Sequence, residues 1–77
     1  MLQARTEDGE VFQGKTPTEV VEQMKDMWNA DRTLEEYMSD VAFRCEVWDG
    51  SKIDTSNPAV FLQELLRVGV ITELGEK

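Results

Sequence analysis

The chain predicts an α+β domain of order β-β-α-α-α-β, and three observations carry that expectation. Thr16-Pro17-Thr18-Glu19 and Thr33-Leu34-Glu35-Glu36 both have the form of a capping box. In each, a Thr hydroxyl accepts from the amide three residues on, while the Glu at that position reaches back to the cap amide. Ser56-Asn57-Pro58 is a third helix start, a polar cap followed by proline at the first helical position. Short stretches at both ends of the chain supply the strands.

The first strand is expected over Leu2 to Thr6, and Glu7-Asp8-Gly9 is its turn, with glycine available for a positive φ. The return strand covers Glu10 to Gln13 and carries Val11 and Phe12; Gly14-Lys15 then leads into the first helix. An isolated hairpin is marginal in water, so this one needs a third strand or a helix face.

The first helix is expected from Pro17 to Trp28. Val20, Val21, Met24, Met27 and Trp28 form one apolar stripe, and Asn29 is the left-handed stop. The short Asn29-Ala30-Asp31-Arg32 loop sets the second helix roughly antiparallel beside the first. That second helix runs from Leu34 to Val47 or Trp48 and stops at Gly50. Its main stripe is Leu34, Tyr37, Met38, Val41, Cys45 and Trp48. Phe43 breaks the pattern: at about 100° per residue it faces away from Leu34, with Val47 one turn further on the same side. A helix apolar on two sides is either central to its fold or partly uncovered for a partner.

Asp49 to Thr55 reads as a loop with a brief extended stretch at Lys52-Ile53. The third helix covers Pro58 to Val68, with Ala59, Phe61, Leu62, Leu65, Leu66 and Val68 on a broad apolar arc, and ends at Gly69. Val70 to Leu74 is the last strand, and Gly75-Glu76-Lys77 a frayed end. A lone strand would leave its ladder groups unpaired, so this one belongs beside the hairpin in a small antiparallel sheet.

The passage Phe61-Leu62-Gln63-Glu64-Leu65-Leu66-Arg67-Val68-Gly69-Val70-Ile71 resembles the helix-then-strand ending of winged-helix domains, where such a passage leads into the wing. The resemblance covers eleven residues. It implies a scaffold used for protein contacts rather than for reading DNA, because Arg67 is the one base in this helix.

Composition bounds the rest. Seventy-seven residues make one domain, 1–77, with a core that rarely supplies more than about 3–5 kcal/mol of net stability. Cys45 stands alone and there is no His, so neither an internal disulfide nor a zinc site is expected. Sixteen acids against eight bases give a net charge of −8, and no two bases are adjacent. Direct nucleic-acid binding is disfavoured, since phosphate neutralisation needs clustered Lys or Arg. No apolar run spans a bilayer, and the first residues do not form a signal peptide. The chain reads as cytoplasmic and bacterial-like in size, with no membrane partner.

No motif for chemistry stands out. Asp49-Gly50-Ser51-Lys52-Ile53-Asp54 lacks the ligand register and the late Glu of a calcium loop. Cys45 has no His to act as its base and lies on an apolar stripe, where a free Cys acts as a small hydrophobe. Glu35 and Glu36 serve a helix N-terminus. Met24, Met27, Trp28, Tyr37, Met38 and Trp48 sit at core spacing, although each Trp falls at a helix end. The expectation is a non-enzymatic protein-interaction or regulatory module with no catalytic, cofactor or metal residues. Its candidate surface for a protein partner or for self-association is Phe43, Val47, Trp48 and Trp28, rimmed by Asp40, Arg44 and Asp49. Two other classes remain open: an acidic inhibitor or nucleic-acid mimic occupying a basic site on another protein, and an accessory subunit of an enzyme complex.

Overall fold

The computed structural model describes residues 1–76, with the side chains of Trp28 and Asn29 outside the description. The element order is β1 (Leu2–Thr6), β2 (Val11–Gly14), α1 (Pro17–Asn29), α2 (Leu34–Asp49), α3 (Pro58–Val68) and β3 (Ile71–Glu76). The strands form one antiparallel sheet of order β2-β1-β3, so the expected topology holds and β1 is central.

The hairpin turn is closed by backbone bonds from Thr6 N to Glu10 O (2.8 Å) and from Gly9 N to Thr6 O (3.1 Å). Gly9 takes φ +94°, a conformation that side chains resist. The Thr6 hydroxyl donates to the Asp8 carboxylate and accepts from the Glu10 amide. The return strand begins at Val11 and ends at Gly14, one residue later than expected at each end. Gly14 belongs to the sheet because it pairs with Leu2, and α1 lies directly on it. A Cβ there would sit 2.6 Å from Glu19 Cβ and 2.9 Å from the Val20 amide nitrogen.

One face of the sheet carries the core. Ala4 pairs with Phe12 and with Leu74, and Thr6 pairs with Ile71. Ile71 and Leu74 are three residues apart, a spacing that ordinarily places side chains on opposite faces. A bulge between the Arg5 and Thr6 pairings inserts Thr72 and lets both side chains turn inward. The outer face is mainly polar, with Val11 exposed beside Arg5: Gln13 Nε2 donates to Gln3 Oε1 across the strands at 2.6 Å, and Arg5 faces Glu73 at 3.9 Å. β3 also extends further than the sequence implies. Gly75 and Glu76 pair with Gln3 and Leu2 instead of fraying, because β1 offers partners along its whole length. Lys77 lies outside the described residues. Lys52-Ile53 forms no strand; Ile53 packs on the core from a loop.

The three helix starts differ in detail. At α2 the box is complete: Glu36 N donates to Thr33 Oγ1 (3.1 Å) and Thr33 N to Glu36 Oε1 (3.0 Å). At α3 the Asn57 side chain accepts from Val60 N (2.9 Å). At α1, Thr16 Oγ1 accepts from Glu19 N as expected (3.2 Å), but the Glu19 carboxylate accepts from Lys15 N (2.7 Å), not from the cap amide. The chain turns straight out of β2 into the helix, and Gly14 against Glu19 brings the preceding amide within reach. Asn29 is no left-handed stop either: α1 includes it and closes on Ala30 in right-handed geometry (φ −60°). Gly50 and Gly69 do end α2 and α3 with φ +77° and +89°.

α1 packs on β1, β2, α2 and α3 and so lies at the centre of the fold. The core comprises Ala4, Phe12, Val20, Val21, Met24, Tyr37, Met38, Phe61, Leu62, Leu65 and Ile71. Tyr37 meets Phe61 edge to face, with ring centroids 6.3 Å apart, which ties α2 to α3. The strand after Gly69 is a single one paired with β1, and no wing follows it among the described residues. The winged-helix resemblance at Phe61–Ile71 is therefore local: a helix closing on glycine before a strand, in a different topology.

Candidate functional site

α2 is buried at its start and uncovered at its end. Tyr37 and Met38 are buried, and Leu34 and Val41 pack partly on the core. Over the last seven residues, Phe43, Val47 and Trp48 are 68%, 62% and 84% exposed. Phe43 and Val47 owe their exposure to angle, since they point away from the inner stripe. Trp48 owes its exposure to length. Its angle continues the stripe of Tyr37, Val41 and Cys45, but the helix has by then run beyond what covers it. The same reason corrects two core expectations: Trp48 is not a core residue, and Met27, near the end of α1, is 52% exposed. Cys45 is half-buried rather than enclosed. The Trp28 side chain lies outside the described residues.

The rim residues of the candidate surface are all engaged locally or open to solvent. Asp40 pairs with Arg32 at 3.1 Å. Arg44 is exposed. Asp49 accepts from the Ser51 amide at 2.9 Å, and hydrogen bonding from the Ser51 side chain, then from that amide, holds its carboxyl below the ordinary carboxylate value.

Between α2 and the hairpin tip lies a groove of about 270 Å³. Phe12, Met24, Tyr37 and Leu65 form its floor, so it opens directly onto the core. Val41, Cys45 and Trp48 form one wall; Thr6, Glu7, Asp8 and Val70 form the other. That second wall is fixed by a bond from Glu7 N to Val70 O (3.3 Å), while the Val70 amide donates to Leu65 O (2.9 Å). Hairpin tip, end of α3 and start of β3 are thereby held together. Asp40 and Arg44 complete the lining. The participation of Glu7, Asp8 and Val70 is a tertiary fact: they are far from α2 in sequence, and no local pattern marks them.

The ionisable groups here do not form an acid–base pair. Burial, with Asp49 adding to it, pushes the Cys45 thiol up, so it is protonated at neutral pH. Burial likewise pushes Tyr37 up to about 12. A group of His, Cys, Asp or Glu side chains placed to hold a metal ion is not found among the described residues.

The loop 50–57 is held to α3 rather than arranged around a ligand. Glu64 accepts from the Asp54 amide (3.1 Å) and from Arg67 Nε (2.7 Å), and Arg67 donates to the Lys52 carbonyl (3.0 Å). Asp54 accepts from the Ser56 amide at 2.8 Å, closing the turn into α3. No helix among the described residues is long and apolar enough to cross a membrane. Comparison with family models, with curated proteins and with solved structures finds no match to this chain.

Proposed function

We propose that the protein is a non-enzymatic interaction module that contacts another protein through the free end of α2. One observation carries this reading: three large apolar side chains, Phe43, Val47 and Trp48, stand exposed within two turns of one helix. Single exposed apolar residues are ordinary, but here Phe43 and Val47 form an exposed pair on the outer side of α2 while Trp48 stands at the apolar groove on its inner side, and so much apolar surface at one helix end is the usual mark of a contact surface. Trp is also among the residues that contribute most at such surfaces. The ionisable side chains near the groove are protonated, locally bonded or exposed, which supports a binding role over a catalytic one.

The test compares the wild type with the double variant Phe43→Asp/Val47→Asp. Both positions are exposed, so the unfolding midpoint and the circular dichroism spectrum should stay unchanged. Light scattering over a concentration series, and crosslinking in an extract of the native cell, should show a complex of fixed stoichiometry with the wild type and none with the variant. A wild type that stays monomeric and crosslinks to nothing refutes the proposal. So does a variant that keeps the complex, or one that unfolds.

A further inference from the structure

We infer that the groove between α2 and the hairpin tip receives an apolar side chain from a cationic, amphipathic segment of another protein. The inference rests on the interaction reading above and adds the chemistry of the partner. Size is the first argument. At about 270 Å³ the groove lies just below the range of about 300–1,000 Å³ typical of small-molecule sites, and it matches one or two side chains of a peptide. The floor is wholly aromatic and aliphatic apart from the Tyr37 hydroxyl, so what enters must be apolar.

Charge is the second argument. Glu7, Asp8 and Asp40 line the groove against one lining base, Arg44; Arg32 pairs with Asp40 from outside it, which leaves Glu7 and Asp8 against Arg44. The wall carrying Trp48 is the last turn of α2, which holds no base and ends in Asp49. A helix C-terminus already bears a partial negative charge, and Asp49 adds to it, offset only in part by Arg67 of α3. A partner with Lys or Arg on either side of its apolar anchor relieves both features. A second copy of this chain, itself at −8, brings the wrong sign. Trp48, projecting at the mouth, is placed to close over the anchor once it is seated.

Two synthetic helical peptides test the inference by calorimetric titration. One carries Leu and a central Phe at i, i+3, i+4 spacing with Lys elsewhere; the other has Glu in place of each Lys. The Lys peptide should bind, and the Glu peptide should not. Raising ionic strength from about 0.05 to 0.5 M should weaken the Lys peptide several-fold. Trp48→Ala should weaken it about 30-fold, the loss expected of a tryptophan that becomes covered on binding. Glu7→Lys should weaken it as well. Both residues are exposed, so both variants should fold.

Equal binding of the two peptides, undiminished binding to Trp48→Ala and Glu7→Lys, or no binding of the Lys peptide overturns the inference. Self-association of the wild type that Trp48→Ala abolishes assigns the groove to a second copy and overturns it too. Failure here is distinguishable from failure of the interaction reading. A groove that rejects the Lys peptide, in a protein whose complex still depends on Phe43 and Val47, removes only the groove's partner.

Discussion

Gly14→Ala should destabilise the domain severely, although it adds one methyl group in a strand where alanine is the better backbone choice. The new Cβ would lie 2.6 Å from Glu19 Cβ and 2.9 Å from the Val20 nitrogen. Carbon atoms prefer about 3.5–4.0 Å, so strand and helix would have to part by about 1 Å. Neither side yields easily. β2 is registered on β1 through four paired residues, and the first turn of α1 is held by Thr16 and by the Glu19–Lys15 bond. Overpacking of this kind costs about 1–3 kcal/mol. In a domain whose net stability is on the order of 3–5 kcal/mol, that is a large share. At roughly 4–8 °C per kcal/mol, the melting temperature should fall by about 4–24 °C. Gly75→Ala is the control. It lies in β3 opposite Gln3, and a Cβ there meets nothing within 4 Å. That variant should gain up to about 0.5–1 kcal/mol by restricting the unfolded chain. Urea unfolding of the three proteins, with matching slopes, separates the outcomes. A Gly14→Ala protein as stable as the wild type would refute the close-approach reasoning.

Other perturbations have equally definite outcomes. Leu62→Ala removes a side chain that is 1% exposed and should cost about 2–5 kcal/mol, enough to leave much of the population unfolded by urea melt or calorimetry. Tyr37 has its folded phenol raised from 10.0 to about 12, so stability should be intact below pH 10 and fall as pH rises toward 12; phenolate absorbance should appear only near 12 or with unfolding, and a phenolate at 10 in the folded protein would contradict its burial. Thr33→Ala should cost about 1 kcal/mol at neutral pH by breaking the α2 cap. Glu36 is held below its ordinary 4.5 chiefly by its bonds with Thr33, so that stabilisation is present above 4.5 and lost as pH falls through the lower folded value. The gap between Glu36→Ala and wild type should therefore narrow in acid, and a gap constant with pH would sink the assignment.

Local signals placed the helices well, because caps and stops are written within four residues of each end. Thr33, Asn57, Gly50 and Gly69 act where their spacing implies. The misreadings share a different origin. Gly14 and Gly75 join strands because of partners distant in sequence, and Glu19 bonds Lys15 because β2 enters α1 so abruptly. Met27 and Trp48 lie at inward angles yet stand in solvent. Periodicity reports the direction of a side chain around its helix, but not whether a neighbour reaches that far along the axis. The same limit governs the site. Phe43 and Val47 were visible as an off-pattern pair, whereas Glu7, Asp8 and Val70 come to the groove only through tertiary bonds.

β1 is the middle strand, and its two partners arrive at very different times. β2 follows it after a four-residue turn, but β3 lies across the whole helical run, with Leu2 meeting Glu76. During synthesis the hairpin waits with one flank unmatched until the far end of the chain emerges. Closing so wide a loop raises the contact order, and this predominantly helical domain should fold more slowly than bundles of its length. Pulled at Leu2 and Glu76, which face each other at one end of the β1–β3 ladder, the molecule would unzip from that end, its cross-strand bonds yielding one by one.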